Sequence, residues 1–151
     1  MSRFCLALAR MCSALWVGAA FLFVVTSVAE QVHPDIDEFT KVRLAMVRFP
    51  WYYGTGITLL AIGFLATIGA GLNRRPKVAA TLLLLAALVL LAIDYQFLYR
   101  GMVDVLMIPG DEPPGSRFAS LHTWSERLNG LGFVLSTAAA IVLCTAREKT
   151  L

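Results

Sequence analysis

A chain of 151 residues with 58% apolar and 15% charged residues and a mean hydropathy of +0.72 lies outside the range of soluble domains, which run at about 45–50% apolar and about 25% charged. Its length holds one domain, residues 1–151, with room for four bilayer-spanning helices of about 20 residues each. The net charge of +3 does not point to nucleic acid, because the basic residues are scattered between apolar runs and membrane topology accounts for them better.

The first apolar run covers about 5–29, interrupted by Arg10 alone. Two readings stand for it. Arg3 and Arg10 with Ser27-Val28-Ala29 resemble the charged start and small-x-small cleavage site of a signal peptide. Ala14 and Gly18, four residues apart, instead favour a retained helix that packs closely on a neighbour. The retained span is the expectation.

After His33-Pro34, Asp35 followed three residues later by Glu38 resembles a capping box. Ile36, Phe39, Arg43, Met46 and Val47 then recur at helical spacing. This predicts a short amphipathic helix on the bilayer surface, stopped by Pro50, with Lys41 and Arg48 reaching headgroups. Trp51, Tyr52 and Tyr53 suit the lipid interface and mark the entry of the second span, about 51–72. Along that span Gly63, Thr67 and Gly71 repeat every four residues, a small-residue face for helix packing.

Asn73-Arg74-Arg75-Pro76-Lys77 is a tight basic turn, so spans two and three are antiparallel neighbours. Span three covers about 78–100 and carries Asp94 roughly one turn inside the hydrocarbon edge, by 1.5 Å of rise per residue. A carboxylate at that depth is costly unless it faces protein or water. Met102 to Ile108 prolong the helix or lie on the surface, and Pro109 to Gly115 read as a loop. Span four covers about 118–145. Near its start His122, Ser125, Glu126 and Asn129 fall at i, i+3, i+4 and i+7, which puts an imidazole, a hydroxyl, a carboxylate and an amide on one stripe.

The expected fold class is therefore all-α: an integral membrane four-helix bundle with a short amphipathic interfacial helix between spans one and two. The amino end, the second connection and the tail hold Arg3, Arg10, Arg74, Arg75, Lys77, Arg147 and Lys149 against Glu148 alone. The positive-inside rule then places both termini in the cytoplasm and the protein in the cell membrane as a multi-pass chain.

Asp94, His122, Ser125, Glu126 and Asn129 form the candidate polar pocket at the outer leaflet, handling a small molecule, ion or metal. Pairing of Glu126 with Arg48, Arg100 or Arg127, pairing of Asp94 with tyrosine or arginine neighbours, and capping of the interface by His122 make up the purely structural reading of the same residues. The alternative function is a packing or assembly subunit whose Gly63-Thr67-Gly71 face binds another membrane helix or a second copy of the chain. A haem or redox protein is the remaining reading, with His33 and His122 as its imidazoles. No Gly-x-Ser-x-Gly, Gly-Lys-Ser/Thr or Cys-x-x-Cys-His string occurs, so no catalytic residue, cofactor or metal is assigned and the chain does not read as an enzyme. Cys5, Cys12 and Cys144 are odd in number and read as small buried thiols. The lipid bilayer is the one partner the composition demands.

Leu15-Trp16-Val17-Gly18, Arg48-Phe49-Pro50-Trp51-Tyr52-Tyr53, and Leu121-His122 with Ser125 and Leu128-Asn129 resemble phrases of the four-helix membrane family of transmembrane protein 205 and its bacterial relatives. The resemblance covers about residues 10–145. It implies four spans with a retained first helix, in a domain largely without assigned chemistry. The chain departs from the family at the end of the first helix, with Ser27-Val28-Ala29-Glu30 in place of an Ala-Pro.

Overall fold

The computed structural model describes residues 2–106 and 115–147. Helix α1 spans Ser2–Val32 and α2 spans Glu38–Gly69. Helix α3, Arg74–Ile93, continues through a π-helical stretch, Asp94–Tyr99, into α4, Arg100–Leu106. Helix α5 is Ser116–Thr145. Since α3, the π stretch and α4 form one rod, there are four helices long and apolar enough to cross a membrane. The all-α four-helix bundle expected from the sequence is what the chain forms. The loop expected over Pro109 to Gly115 lies outside the described residues apart from Gly115, as does the tail from Glu148.

The start of α1 meets both the end of α2 and the end of α5. A side chain on Gly69 would touch Cys5 and one on Gly71 would touch Ser2, while Arg10 reaches Leu143 and Ala146. At the opposite end Arg48 pairs with Glu30, and Gly101 lies against Leu121. The helices therefore alternate in direction, and each packs on its two neighbours around the ring α1, α2, α3, α5. Short connections favour this up-down arrangement. Residues 11–29, 49–73, 78–93 and 128–146 carry no charged side chain, so one apolar belt girdles the bundle.

The belt's outer face carries Leu15, Phe21, Leu22, Leu65, Leu82, Val89, Val134 and Ile141, all exposed. Its interior is built mainly from small residues and leucines, among them Ala9, Ala20, Leu60, Ala80, Leu84, Ala87, Ala139 and Leu143. In lipid the tails are as apolar as leucine, so helices gain by close approach and dispersion contacts, which small side chains allow. Gly63 and Thr67 belong to this interior, and Thr67 turns its hydroxyl back to the Gly63 carbonyl at 2.7 Å. Gly71 falls past the end of α2 and meets Ser2 from the connection. Ala14 and Gly18 do not form the expected packing face: both are exposed, and nothing lies within 4 Å of a side chain placed on Gly18. The buried face of α1 runs instead through Leu6, Ala9, Ser13, Trp16 and Ala20.

Two further expectations change. The amphipathic stretch before Pro50 is helical, but it runs without a break into the second span as one helix, Glu38–Gly69. Proline removes one amide donor and crowds the carbonyl four residues earlier, at Met46, which costs about 3 kcal/mol in a helix interior. The exposed ring of Pro50 adds no crowding inside the bundle, and packing of the adjacent Phe49, Tyr52 and Tyr53 offsets that cost. The cap of this helix is Asp37 in place of Asp35. Its carboxylate accepts from the Thr40 hydroxyl at 2.7 Å and the Thr40 amide at 3.0 Å.

Those two donors, the hydroxyl foremost, hold Asp37 below its ordinary value of 3.8. A carboxyl lowered on folding strengthens the folded state above its unfolded value and surrenders that contribution as pH falls through the lowered one. Asp37→Asn, still a competent cap, should therefore flatten the acid limb of helicity measured by circular dichroism below about pH 4. An unchanged acid limb would remove Asp37 from the linkage.

The basic end is fastened by side chains that cap helix C-termini. Arg10 donates from Nε to the Leu143 carbonyl at 2.8 Å and from Nη2 to that of Ala146 at 3.0 Å. Lys77 donates to the Ala70 carbonyl at 3.2 Å. Last-turn carbonyls have no helical partner and carry the negative end of the helix dipole, so cations suit them. Arg10→Met, which keeps the apolar stem, should lower stability by about 1.5–3 kcal/mol. Arg10→Lys should recover only part, because a single ammonium lacks the planar fork that spans two carbonyls. Thermal unfolding in detergent checks both, and a neutral Arg10→Met would show that water replaces the guanidinium.

Candidate functional site

Where α3 gives way to the π stretch, the buried face of α3, marked by Leu84, Ala87 and Leu91, leads to Asp94. A π turn inserts an extra residue into the helical repeat and commonly accompanies functional positions. Here it opens on Asp94 and presents Tyr95 and Tyr99 side by side, with rings stacked at 5.8 Å. Asp94 is 0% exposed.

Its Oδ2 accepts two hydrogen bonds: from the Tyr53 hydroxyl of α2 at 2.5 Å and from the Asn129 amide of α5. The same Asn129 nitrogen also donates to the Ser125 carbonyl at 3.0 Å, and its oxygen accepts from the Tyr52 hydroxyl at 3.0 Å. Ser125 is buried beside this group, and its hydroxyl oxygen accepts from the Asn129 amide at 3.3 Å. Asp94 Oδ1 has no hydrogen-bond partner among the described residues. Nor does any Lys, Arg or His among them form an ion pair with Asp94: the pairs found are Glu30 with Arg48, Glu38 with Lys41, His33 with Asp35 and His122 with Glu126.

Aromatic rings enclose the carboxyl. Tyr53 lies 5.2 Å from Tyr95 and 5.1 Å from Tyr99, and Phe49 stacks on Tyr99 at 5.6 Å. Tyr52 packs on Trp16 at 5.2 Å and on Phe23 at 4.3 Å. Above them Arg48 binds Glu30 at 2.6 Å, with its guanidinium 5.5 Å from the Phe23 ring. The ion pair thus closes the α1–α2 side of the aromatic layer.

Below Asn129 lies a cavity of about 10 Å³ lined in part by Trp16, Tyr52, Asn129 and Ser136. That volume is at the threshold for one water and is far below what an organic ligand occupies. On its far side the Trp16 indole donates to Ser136 Oγ at 3.2 Å, and Ser136 donates on to the Gly132 carbonyl at 2.8 Å. A polar thread therefore runs from Asp94 through Asn129 and Tyr52 to the cavity, and beyond it to Trp16 and Ser136.

Of the five expected pocket residues, Asp94, Ser125 and Asn129 come together, whereas His122 and Glu126 do not join them. These two are exposed and lie against each other, with Nδ1 3.5 Å from Oε1. At about 100° per residue, the buried face set by Ser125, Ser136, Ala139 and Leu143 is centred about 65° from His122 and about 105° from Glu126. A stripe at i, i+3, i+4 and i+7 is wider than the strip that touches the neighbouring helices. The tyrosine partner expected for Asp94 is Tyr53, whereas Tyr52, Trp16 and Ser136 are neighbours the sequence reading did not place here. Of the aromatic triplet, only Trp51 faces outward, at 76% exposure, while Tyr53 is 1% exposed.

Among the described residues no group of three or more His, Cys, Asp or Glu side chains is placed to hold a metal ion. His33 sits in the α1–α2 connection, where its Nδ1 accepts the Asp35 amide at 3.3 Å. Comparison with protein-family models, with curated proteins and with solved structures finds no match.

Proposed function

We propose that the chain is a small multi-pass membrane protein that takes up a single small cation, the proton foremost, at Asp94. The observation that carries this reading is a wholly buried carboxyl within a membrane-length helix, with both its hydrogen bonds on one oxygen and no ion-pair partner among the described residues. An ionisable group inside a span is costly and marks ion or proton pathways. The water-sized cavity argues against an organic ligand at this point. The phenols of Tyr53 and Tyr52 and the amide of Asn129 supply groups that relay or orient a proton, and the Arg48–Glu30 pair stands between them and the acidic end.

Both termini lie in the cytoplasm in this reading, with the protein in the cell membrane, because the basic residues gather where α1 begins and α5 ends. The same reading keeps α1 in the mature bundle, supported by the contacts of Arg10 and Trp16 with α5. In a background without native cysteines, Thr40→Cys should be labelled in intact cells by an impermeant maleimide and Arg147→Cys should not. The reverse pattern inverts the topology. The likeness to the transmembrane protein 205 family stands on the same footing as this topology and adds no reaction.

Infrared difference spectroscopy tests the site without a reagent, since a carboxyl that takes up a proton exchanges its carboxylate bands for the carbonyl stretch of the acid. The native chain should gain that stretch on acidification beyond what Asp94→Asn gains under the same conditions. A native chain and an Asp94→Asn variant with identical difference spectra would leave Asp94 a hydrogen-bonding strut.

A further inference from the structure

At the basic end, far from Asp94, α2 and α3 border an open groove of about 230 Å³ lined by Ile68, Lys77, Val78, Thr81 and Leu82. Its walls are apolar and outward-facing: Ile68, Val78 and Leu82 are all exposed within the lipid-facing belt. Its mouth is cationic. The Lys77 ammonium is held there by the Ala70 carbonyl at 3.2 Å, which leaves two of its three donors unspent. Arg74 and Arg75 lie one turn or less before it, both exposed and in no ion pair among the described residues. Thr81 does not compete for that ammonium, because its hydroxyl donates to the Lys77 carbonyl at 2.8 Å.

We propose that this groove is a binding site for an anionic phospholipid, with the phosphate on Arg74, Arg75 and Lys77 and an acyl chain between Ile68, Val78 and Leu82. Charge complementarity selects the occupant. Three cations without a neighbouring acid among the described residues meet a phosphodiester and, in an anionic lipid, a headgroup that brings no ammonium of its own. A zwitterionic lipid would set its own cation among them. Arginine adds bidentate geometry toward phosphate oxygens. The basic pocket opens at the level where headgroups meet the apolar belt, and each basic residue near an anionic surface adds to the attraction. The apolar walls distinguish a lipid from a free anion, because only a lipid fills both halves of the site.

Native mass spectrometry of the full chain in mild detergent, titrated with phosphatidylglycerol or phosphatidylcholine of identical acyl chains, reads the preference. Phosphatidylglycerol should be retained several-fold more than phosphatidylcholine. Arg74→Gln with Arg75→Gln should bring the two lipids close together while sparing the Lys77 cap of α2. Val78→Phe, with every charge intact, should lower phosphatidylglycerol retention by filling the groove. Arg43→Gln, at the opposite end, should change neither. Equal retention of the two lipids by the native chain, or a preference unaffected by the double arginine variant, would overturn the site. Competition by soluble glycerophosphoglycerol as effective as the whole lipid, or an inert Val78→Phe, would overturn its acyl half and with it the proposal.

Discussion

Gly56→Ala should destabilise the bundle by about 1–3 kcal/mol, the ordinary range for a side chain forced into a full core, and Gly56→Val should exceed that. A β-carbon on Gly56 would sit 2.5 Å from Cη2 and 2.6 Å from Cζ3 of Trp16, and 2.6 Å from Cδ2 of Leu91. The indole is rigid, and its other edge donates to Ser136 at 3.2 Å. It cannot retreat without breaking that bond and opening the cavity between Tyr52 and Asn129. Gly56 therefore seats the ring that joins α1 to α5 across the face of α2.

The other glycines supply the comparison. At Gly63 the nearest atom to an added β-carbon is Cys12 Cβ at 3.5 Å, an ordinary contact, and at Gly18 nothing lies within 4 Å. Gly63→Ala should thus be mild and Gly18→Ala neutral or slightly stabilising, since alanine is the better helix former by about 1 kcal/mol. Gly63→Leu, with three further carbons against α1, should wedge the helices apart, whereas Leu59→Phe at a partly open position should be mild. Melting temperatures in one detergent rank the set. In a Trp51→Phe, Trp124→Phe background, emission from Trp16 should shift to the red with Gly56→Ala alone of the three alanine variants. Equal melting points for Gly56→Ala and Gly63→Ala would contradict the steric argument.

These residues also show what a single sequence makes legible. Four apolar runs, and the basic turn between the second and third, announce four helices, because lipid forces every backbone group into helical bonds and the runs have the required length. Small residues announce close packing, but not against whom. Ala14-Gly18 and Gly63-Thr67 carry the same spacing, yet only the latter is buried. In soluble chains polar and apolar faces separate inside from outside, while here both faces of every span are apolar and that signal is lost. Gly56 lies seven residues before Gly63, two helical turns on the same face, and that extension of the small-residue stripe was the available clue. Pro50 misled because proline reads as a stop in water, whereas in a membrane-length helix neighbouring packing carries the chain past it. Tyr52 and Tyr53 were read as interface anchors for their chemistry. Their burial follows from Asp94, which needs donors that only the three-dimensional ring of helices brings to it.

Asp94→Leu should be tolerated poorly, and the loss should be recovered in part by Tyr53→Phe. Removing the carboxyl strands the Tyr53 hydroxyl, which is buried and donates to Asp94 at 2.5 Å. A buried polar group left unpaired costs about 1–3 kcal/mol, while replacing both partners by apolar groups of similar shape is nearly neutral. Asn129 is better protected, because its amide keeps the Ser125 carbonyl at 3.0 Å and its oxygen keeps the Tyr52 hydroxyl at 3.0 Å. The stability lost in Asp94→Leu should therefore be traced mainly to Tyr53. A double-mutant cycle on the two positions should give a coupling of about 0.5–3 kcal/mol. Asp94→Asn should behave differently: it keeps one oxygen to accept from Tyr53 and Asn129, so the fold holds, yet it has no carboxyl to take a proton. Stability and chemistry then separate at one atom position. Independent, additive effects of Asp94→Leu and Tyr53→Phe would show that the hydroxyl finds another partner on its own, and the carboxyl would lose its place as the centre on which α2, α3 and α5 converge.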